Sequence, residues 1–468
     1  MGKILSIVLL LVVLVPASGQ KDNSMRNMKN WQVKGLAKSA IRLGDPWQAS
    51  IYLEELYRRK PSDEVGLMLG RSLMESRQFD KAEKVYSDLY NKAPRKSFEA
   101  PYYLSMLLKM DGNYEAALGH FEMTKSRHKR IADRNINRRR IENEIEGCRM
   151  ALTYIDSIGR EPDLEVKALS NNVNQGRMNH APVIMGDTAF VYVSVNDEAP
   201  ERIALGESYV AARKYYKATW RDGQWLSEPE SDVGSPFVNG DGYDSVKGAF
   251  SPDGRRFYFS RCFINPEGKR VCHIYISRLG SNGWSEPQAL DRNVNHPRYT
   301  STQPAVGKLF DSNLEVLYFV SDRPGGAGGM DIWFTVCYIA KNEFQKPQNA
   351  GVFINTEGDE VAPFYDTSSG RLFFSSNNLP GFGGFDIFSA EGSLVTWESP
   401  VNLGLPVNSP YDDMDYEVSP SSKLGLFVSN RPEEIAEGIL PDRIFEVRKK
   451  GGTNLHVNSD EGSNPGEH

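Results

Sequence analysis

The stretch Leu317-Tyr318-Phe319-Val320-Ser321-Asp322-Arg323-Pro324-Gly325-Gly326-Ala327-Gly328-Gly329-Met330-Asp331-Ile332-Trp333-Phe334 returns one unit later. There it reads Leu372-Phe373-Phe374-Ser375, followed by Asn377-Asn378-Leu379-Pro380-Gly381-Phe382-Gly383-Gly384-Phe385-Asp386-Ile387-Phe388. Each copy is an aromatic, β-branched run, a glycine-rich turn and a second such run, the pattern of two antiparallel strands joined by a broad hairpin. Further copies of the first run are Phe190-Val191-Tyr192-Val193-Ser194, Phe257-Tyr258-Phe259-Ser260 and Leu426-Phe427-Val428-Ser429. Arg443-Ile444-Phe445 is a further copy of the second.

A dipeptide marks the start of each unit: Val173-Asn174, Val238-Asn239, Val294-Asn295, Ile354-Asn355 and Val407-Asn408, at spacings of 65, 56, 60 and 53 residues. A short opening run follows, as in Ala181-Pro182-Val183-Ile184, Gln303-Pro304-Ala305-Val306 and Ala362-Pro363-Phe364-Tyr365. Most units close on a tryptophan: Trp225, Trp284 and Trp397. Four strands repeated five times predict a propeller, because a four-stranded sheet of this kind buries its faces only against neighbouring blades. The fifth unit lacks a closing strand. Leu164-Glu165-Val166-Lys167-Ala168-Leu169, at the other end of the domain, alternates apolar and polar residues and is expected to supply it beside 443–447, leaving no open edge.

These units resemble the WD-repeat-like, TolB-type propeller repeat over residues 163–448. The resemblance implies a five-bladed β-propeller that presents its faces to other proteins.

Upstream the period changes. Asp45-Pro46-Trp47-Gln48-Ala49, Gln78-Phe79-Asp80-Lys81-Ala82 and Asn113-Tyr114-Glu115-Ala116-Ala117 align with offsets of 33 and 35. Each final alanine is followed four positions later by Leu53, Tyr86 or Phe121. Pro61 and Pro94 lie 12 residues after Ala49 and Ala82. A small residue lets two helices approach, a bulky one a turn later fills the gap between pairs, and proline ends the second helix. The pattern resembles the tetratricopeptide repeat. It predicts three helix pairs and, with a capping helix, a helical repeat domain over 32–157.

The capping segment carries Lys125, Arg127, Lys129, Arg130, Arg134, Arg138, Arg139 and Arg140 against Asp133 alone, with Ile131, Ile141, Ile145 and Leu152 continuing an apolar stripe. It reads as one long helix to about Ile155, whose basic side is first of all a solvated face. As a functional surface, Arg127, Arg130, Arg134 and Arg138 would meet an acidic partner.

Lys3, the apolar run Ile4–Val15 broken by Ser6, Pro16 and the small residues Ala17-Ser18-Gly19 read as a signal peptide over 1–19, cleaved before Gln20. The run of about 12 residues is shorter than the roughly 20 a bilayer span requires. Export to the periplasm or outer-membrane periphery is the expectation. A formal net charge of −6 argues against nucleic acid as the main partner. Of the four cysteines, Cys262 and Cys272 flank the position where other units carry the glycine-rich hairpin, and are expected to form a disulfide. Cys148 and Cys337 are expected to stay reduced.

Helical repeats before this propeller type resemble a family of envelope proteins related to the type IX secretion and gliding apparatus, in which an OmpA-like peptidoglycan-binding domain often follows. Here Gly451-Gly452-Thr453 opens a polar segment read as a flexible tail, 451–468, and no cysteine lies at the expected cleavage point. Peptidoglycan binding is therefore doubtful. The resemblance implies a scaffold for envelope proteins, with partners on the helical groove and the propeller face.

The rival reading is a five-bladed glycoside hydrolase, or a glycan-binding protein, with acids around the central funnel. Asp244, Glu360 and Asp413 are candidates. Each lies five residues after a marker asparagine, and such repetition points to a shared structural role. No cofactor is expected. The glycine-rich loop lacks a following helix or Lys-Ser/Thr, so it does not read as a phosphate cradle, and its glycines are expected to supply positive φ. Asn239-Gly240-Asp241-Gly242-Tyr243-Asp244 resembles part of a calcium loop but has Phe250 where the bidentate glutamate belongs. No G-x-S-x-G elbow is present. The chain is read as non-enzymatic.

Overall fold

A computed structural model describes residues 25–92, 98–133, 136–157, 163–176, 178–195, 213–228, 234–237, 239, 244–267, 269–309, 311, 313–432, 441–452 and 455. The leader read at 1–19, Pro94, Arg134, positions 240–243 and nearly all of the tail lie outside them. Among the described residues, seven α-helices precede five sheets.

The helices are α1 (Asn30–Leu43), α2 (Pro46–Arg59), α3 (Asp63–Glu75), α4 (Phe79–Lys92), α5 (Ala100–Met110), α6 (Tyr114–Arg127) and α7 (Arg138–Ser157), and each packs on the next. Asp45, Ser62 and Asn113 cap α2, α3 and α6 by accepting from the backbone N–H three residues on. The repeated alanines Ala49, Ala82 and Ala117 and the repeated bulky residues Leu53, Tyr86 and Phe121 are all fully buried. Gly70 lies against the Tyr86 ring, where an added Cβ would come within 2.5 Å.

The basic segment is not one helix. It breaks between α6 and α7 because the chain there is pinned sideways: Asp133 N–H donates to Glu99 at 3.1 Å, Arg71 pairs with Asp133 at 2.8 Å, and Tyr103 Oη donates to Asp133 at 3.1 Å.

The five sheets are the blades of a propeller. Blade one is β2 (Met178–Ile184), β3 (Ala189–Val195), β4 (Lys214–Arg221) and β5 (Gln224–Ser227). Blade two is β6 (Asp244–Phe250), β7 (Arg256–Ile264), β8 (Arg270–Gly280), β9 (Gly283–Trp284) and β10 (Gln288–Ala289). Blade three is β11 (Ser301–Lys308), β12 (Leu314–Ser321), β13 (Asp331–Tyr338), β14 (Glu343–Phe344) and β15 (Gln348–Asn349). Blade four is β16 (Glu360–Asp366), β17 (Arg371–Ser376), β18 (Asp386–Ser393), β19 (Thr396–Trp397) and β20 (Val401–Asn402). Blade five is β21 (Asp413–Val418), β22 (Gly425–Ser429), β23 (Arg443–Lys449) and β1 (Leu164–Ala168). In blades two to four the outer strand is two short pieces, and Phe344 stands where the neighbouring blades have tryptophan.

The ring closes with β1 antiparallel to β23, Val166 opposite Val447. The marker asparagines explain the repeat. Each carboxamide pairs with both backbone groups of one residue on the third strand of the preceding blade. Asn174 serves Ile444, Asn239 serves Tyr215, Asn295 serves Ile274, Asn355 serves Ile332 and Asn408 serves Ile387. The N–H donates to Oδ1 at 2.7–2.8 Å and Nδ2 donates to the carbonyl at 2.8–3.1 Å. The carboxamide thus takes the place of a neighbouring strand.

The glycine-rich loops depart from expectation. In the blade-three loop Gly325 has positive φ, whereas Gly328, and Gly383 in blade four, do not. These two are glycine because the next blade's backbone lies against them: an added Cβ would sit 2.4 Å from Glu357 C and 1.8 Å from Tyr411 O respectively.

Asn408→Ala would leave the buried Ile387 N–H unpaired, its C=O keeping only the Leu403 N–H at 3.1 Å, and should cost about 2 kcal/mol in urea denaturation. Deleting residues 161–170 should collapse cooperative unfolding by exposing the β23 edge. Deleting everything after Leu455, whose N–H donates to Ser422 O at 2.6 Å, should shift the melting temperature little; an unchanged melting transition on deleting 161–170 would refute the closure.

Candidate functional site

The innermost strands of all five blades share a bulge, between His180 and Val183, Ser245 and Gly248, Thr302 and Ala305, Val361 and Phe364, and Met414 and Glu417. The bulge frees backbone N–H groups from the ladder and turns them to side chains of the adjacent blade. Ala181, Gln303, Ala362 and Asp415 have positive φ there. Such strain in non-glycine residues persists only where partners hold it. Ala362 N–H donates to Gln303 Oε1 at 2.8 Å, Gln303 N–H to Ser260 Oγ at 3.0 Å, and Ala181 N–H to Asp415 Oδ2 at 3.2 Å.

Asp244, Glu360 and Asp413 each open an innermost strand and are buried. The structure does not gather them into one constellation. Glu360 accepts from Thr356 N–H, Thr356 Oγ1 and Ser376 Oγ at 2.7 Å each. Asp413 accepts from Ser409 N–H at 2.6 Å and from Ser409 Oγ at 2.8 Å, and pairs with Arg431 at 2.5 Å. Asp244 pairs with Arg213 at 2.7 Å and with Arg270. Glu360 and Asp413 fasten the loops entering their blades, and Asp244 ties the start of β6 to Arg213 of blade one and Arg270 of β8. Burial pushes the Glu360 carboxyl up to about 7, its three donors only partly opposing this. At Asp244 burial acts in the same sense, but Arg213 and Arg270 outweigh it and hold the carboxyl at about 2.

A second group lies on the axis, where sequence reasoning had not looked. Lys247 Nζ, fully buried, lies 3.2 Å from Asp415 and 3.8 Å from Glu417. Glu417 also accepts from Ile184 N–H at 3.1 Å. Burial raises its carboxyl to about 7 despite Lys247. His180 Nε2 is 2.7 Å from Asp442, which also receives Arg77 from the turn between α3 and α4. Burial opposes ionisation of Asp442, but Arg77 and His180 together hold it far below the usual carboxylate range. The signal was departure from the internal repeat. Lys247 stands where three blades have Pro182, Pro304 and Pro363, and Glu417 where the others have Val183, Gly248, Ala305 and Phe364.

The helical unit sits on the same end of the ring. Asn143 Nδ2 donates to Asn378 O at 2.5 Å, Tyr114 Oη to Phe382 O at 3.2 Å and Tyr154 Oη to Leu405 O at 2.8 Å. Asn137 reaches Glu357. Phe382 is buried among Tyr102, Tyr114, Phe121 and Ile145, and an added Cβ on Gly147 would lie 2.3 Å from Gly381 O. The glycine-rich loop is filled by its own aspartate: Phe382 and Gly383 N–H donate to Asp386 at 2.6 and 2.8 Å, leaving no cradle for phosphate there. Asp386 is raised to about 6 by burial, against Lys109.

Cys262 and Cys272 are bonded and directly opposite in the β7–β8 register, with Cα atoms 3.9 Å apart, closer than the expected 5.5 Å or so. Both lie within strands rather than at a strand's end. Cys148 and Cys337 are free and buried. Of the arginines, Arg127 is half-buried at the end of α6, and Arg130 is exposed with its guanidinium 5.6 Å from the Phe98 ring centre. Arg138 is exposed and paired with Glu142 at 2.9 Å, while Arg140 turns inward to Tyr102 Oη. Among the described residues no group of His, Cys, Asp and Glu could hold a metal ion, and no helix is long and apolar enough to cross a membrane.

No family model matches the chain, and no curated protein matches it. Solved structures share the propeller. An endo-arabinase from Bacteroides thetaiotaomicron is 14% identical over 63% of this chain and 99% of its own, with a TM-score of 0.39. The α-L-arabinofuranosidase PaAbf62A from Podospora anserina is 12% identical over 60% and 93%, at 0.36. A putative TolB from Agrobacterium tumefaciens is 17% identical over 62% and 86%, at 0.33. These likenesses concern the fold alone.

Proposed function

We propose that the protein is a non-enzymatic scaffold of the cell envelope, exported by its leader and docking envelope proteins through its helical repeats and propeller face. The observation that carries this reading is the engagement of the candidate acids. Asp244, Glu360 and Asp413 stand in three different blades, buried and occupied, Glu360 and Asp413 by the loops entering their strands and Asp244 by two arginines. A hydrolase needs an acid and a second carboxylate facing one substrate bond. Asp415 and Glu417 do lie together, but Lys247 is buried between them and the cluster is closed off. The helical unit adds support, since it rests on the loop-bearing end where a glycan would enter the funnel. Its alanine-and-aromatic period favours tetratricopeptide-type repeats, and the combination favours kinship with type IX secretion envelope proteins. The basic residues Arg127, Arg130, Arg134 and Arg138 fit an acidic partner.

Purified protein should hydrolyse none of a panel of arabinan, xylan, galactan and peptidoglycan substrates. Asp244→Ala, Glu360→Ala and Asp413→Ala should each cost about 2–4 kcal/mol of stability. Robust hydrolysis lost on any one of these changes would overturn the scaffold reading. Affinity purification from the native envelope should recover the partners.

The raised Glu360 also predicts a pH profile. A carboxyl raised in the folded state keeps a proton that the unfolded chain releases. Its stabilisation is complete below about pH 4.5, declines toward the folded value near 7 and is flat above. Asp386 and Glu417 act in the same window. Glu360→Gln cannot titrate, so its urea midpoint should fall less between pH 4.5 and 7.5 than that of the wild type. Identical profiles would show that Glu360 is ionised throughout.

A further inference from the structure

The loop that α7 covers in blade four has a twin in blade three. Ala327 and Gly328 N–H donate to Asp331 as Phe382 and Gly383 donate to Asp386. Met330 N–H donates to Asp359 as Phe385 donates to Asp412, at 2.8 and 3.0 Å. Asp359 and Asp412 N–H in turn donate to Asn377 and Asn430, at 2.9 and 2.8 Å. The second halves of the two loops, 326–331 and 381–386, are therefore held alike, while the first halves differ, Gly325 having positive φ where blade four has Pro380. In both loops these N–H groups are engaged by carboxylates, which leaves the blade-four carbonyls of Asn378 and Phe382 for outside donors. In blade four those carbonyls receive Asn143 and Tyr114. In blade three, residues 324–329 are exposed, with no helix over them among the described residues.

The linker after each blade tells the same story independently. Two residues precede each Val/Ile-Asn marker. They are Leu405-Pro406 after blade four, where Leu405 packs into the helical unit and its carbonyl receives Tyr154. After blades five and two they are the exposed polar pairs Asn171-Asn172 and Arg292-Asn293. After blade one they are Pro236-Phe237, buried in the ring. After blade three they are Val352 and Phe353, 81% and 52% exposed. Apolar side chains thus occupy this position where something covers it, with blade three the exception. An exposed apolar pair beside a rigid, carbonyl-presenting loop is the signature of an interface.

We infer that Ala327, Val352 and Phe353 on blade three form a second docking site that receives a helix of a partner protein in the way blade four receives α7. The helix it fits is defined by α7. Asn143, Gly147 and Tyr154 lie on one face, at i, i+4 and i+11. The amide donates to the loop, the glycine lets the two backbones meet, and the aromatic residue covers the apolar linker residue. The site is continuous with the existing interface, since Gly328 packs on Glu357, which Asn137 at the start of α7 contacts. A helix on blade three would therefore lie beside α7.

This inference rests on the docking reading, yet it fails separately: glycan hydrolysis would refute that reading, whereas the following measurement refutes the site alone. A stapled, fluorescently labelled peptide of residues 138–157 is titrated against the full-length protein by anisotropy. Saturable binding is expected, weakened at least about tenfold by Phe353→Asp and by Ala327→Glu, both exposed and so neutral for the melting temperature. A peptide with Gly147→Leu should not bind. Absence of binding, or binding indifferent to both substitutions, would overturn the site. So would a wild-type dimer in sedimentation that Phe353→Asp abolishes, because the occupant would then be a second copy of this chain.

Discussion

The ring depends on a carboxamide standing in for a strand. The third strand of each blade needs an outer neighbour along its length, but the outer strand is short, and near the loop-bearing end it has turned away toward the next blade. One residue there would keep a bare N–H in a buried place, and its C=O at most a single donor. Asparagine supplies an acceptor and a donor with the spacing of a peptide group, and its single methylene holds them rigidly. Aspartate would set negative charge against a carbonyl, and serine cannot serve both groups. The same bond fixes where the chain leaves one blade and enters the next, so blade stability and blade order have one cause.

The charged residues divide by how they are compensated. Asp244 is met by two arginines and Asp442 by Arg77 and His180, and both carboxyls are held low. Glu360 has hydroxyl and amide donors only, and burial dominates. Asp442 also draws on both domains. Its backbone carbonyl accepts from Asn179 of blade one, and its carboxylate from His180 and from Arg77 of the helical unit. Docking of the helices and closure of the ring therefore converge on one side chain.

Much of this was legible in the sequence. The aromatic runs and marker dipeptides gave five blades, the missing last strand pointed to 164–169, and Ala49, Ala82 and Ala117 gave the helix pairs. What failed to show was whatever depends on contacts between units. The break at 128–137 comes from Asp133 bonding to α3 and α5, and local periodicity carries no trace of that. The loop glycines were assigned to conformational freedom, while Gly328 and Gly383 answer to a neighbour's backbone. The axial group leaves no mark in what the blades repeat. Lys247, Asp415 and Glu417 are where they differ.

The pairing of β1 with β23 sets the order in which the molecule can be finished. Val166 and Val447 are partners at opposite ends of the propeller sequence. During synthesis β1 precedes the blades and its partner comes last, so every intermediate length of chain carries β1 unpaired. Contacts this distant are slow to form, because the whole intervening loop must be closed at once. Blades two to four can assemble locally while they wait. The helical unit, complete before any blade exists, cannot anchor Arg77 until Asp442 arrives. The final few dozen residues thus convert a stack of sheets into a ring and add the Arg77 anchor of the helices in the same event.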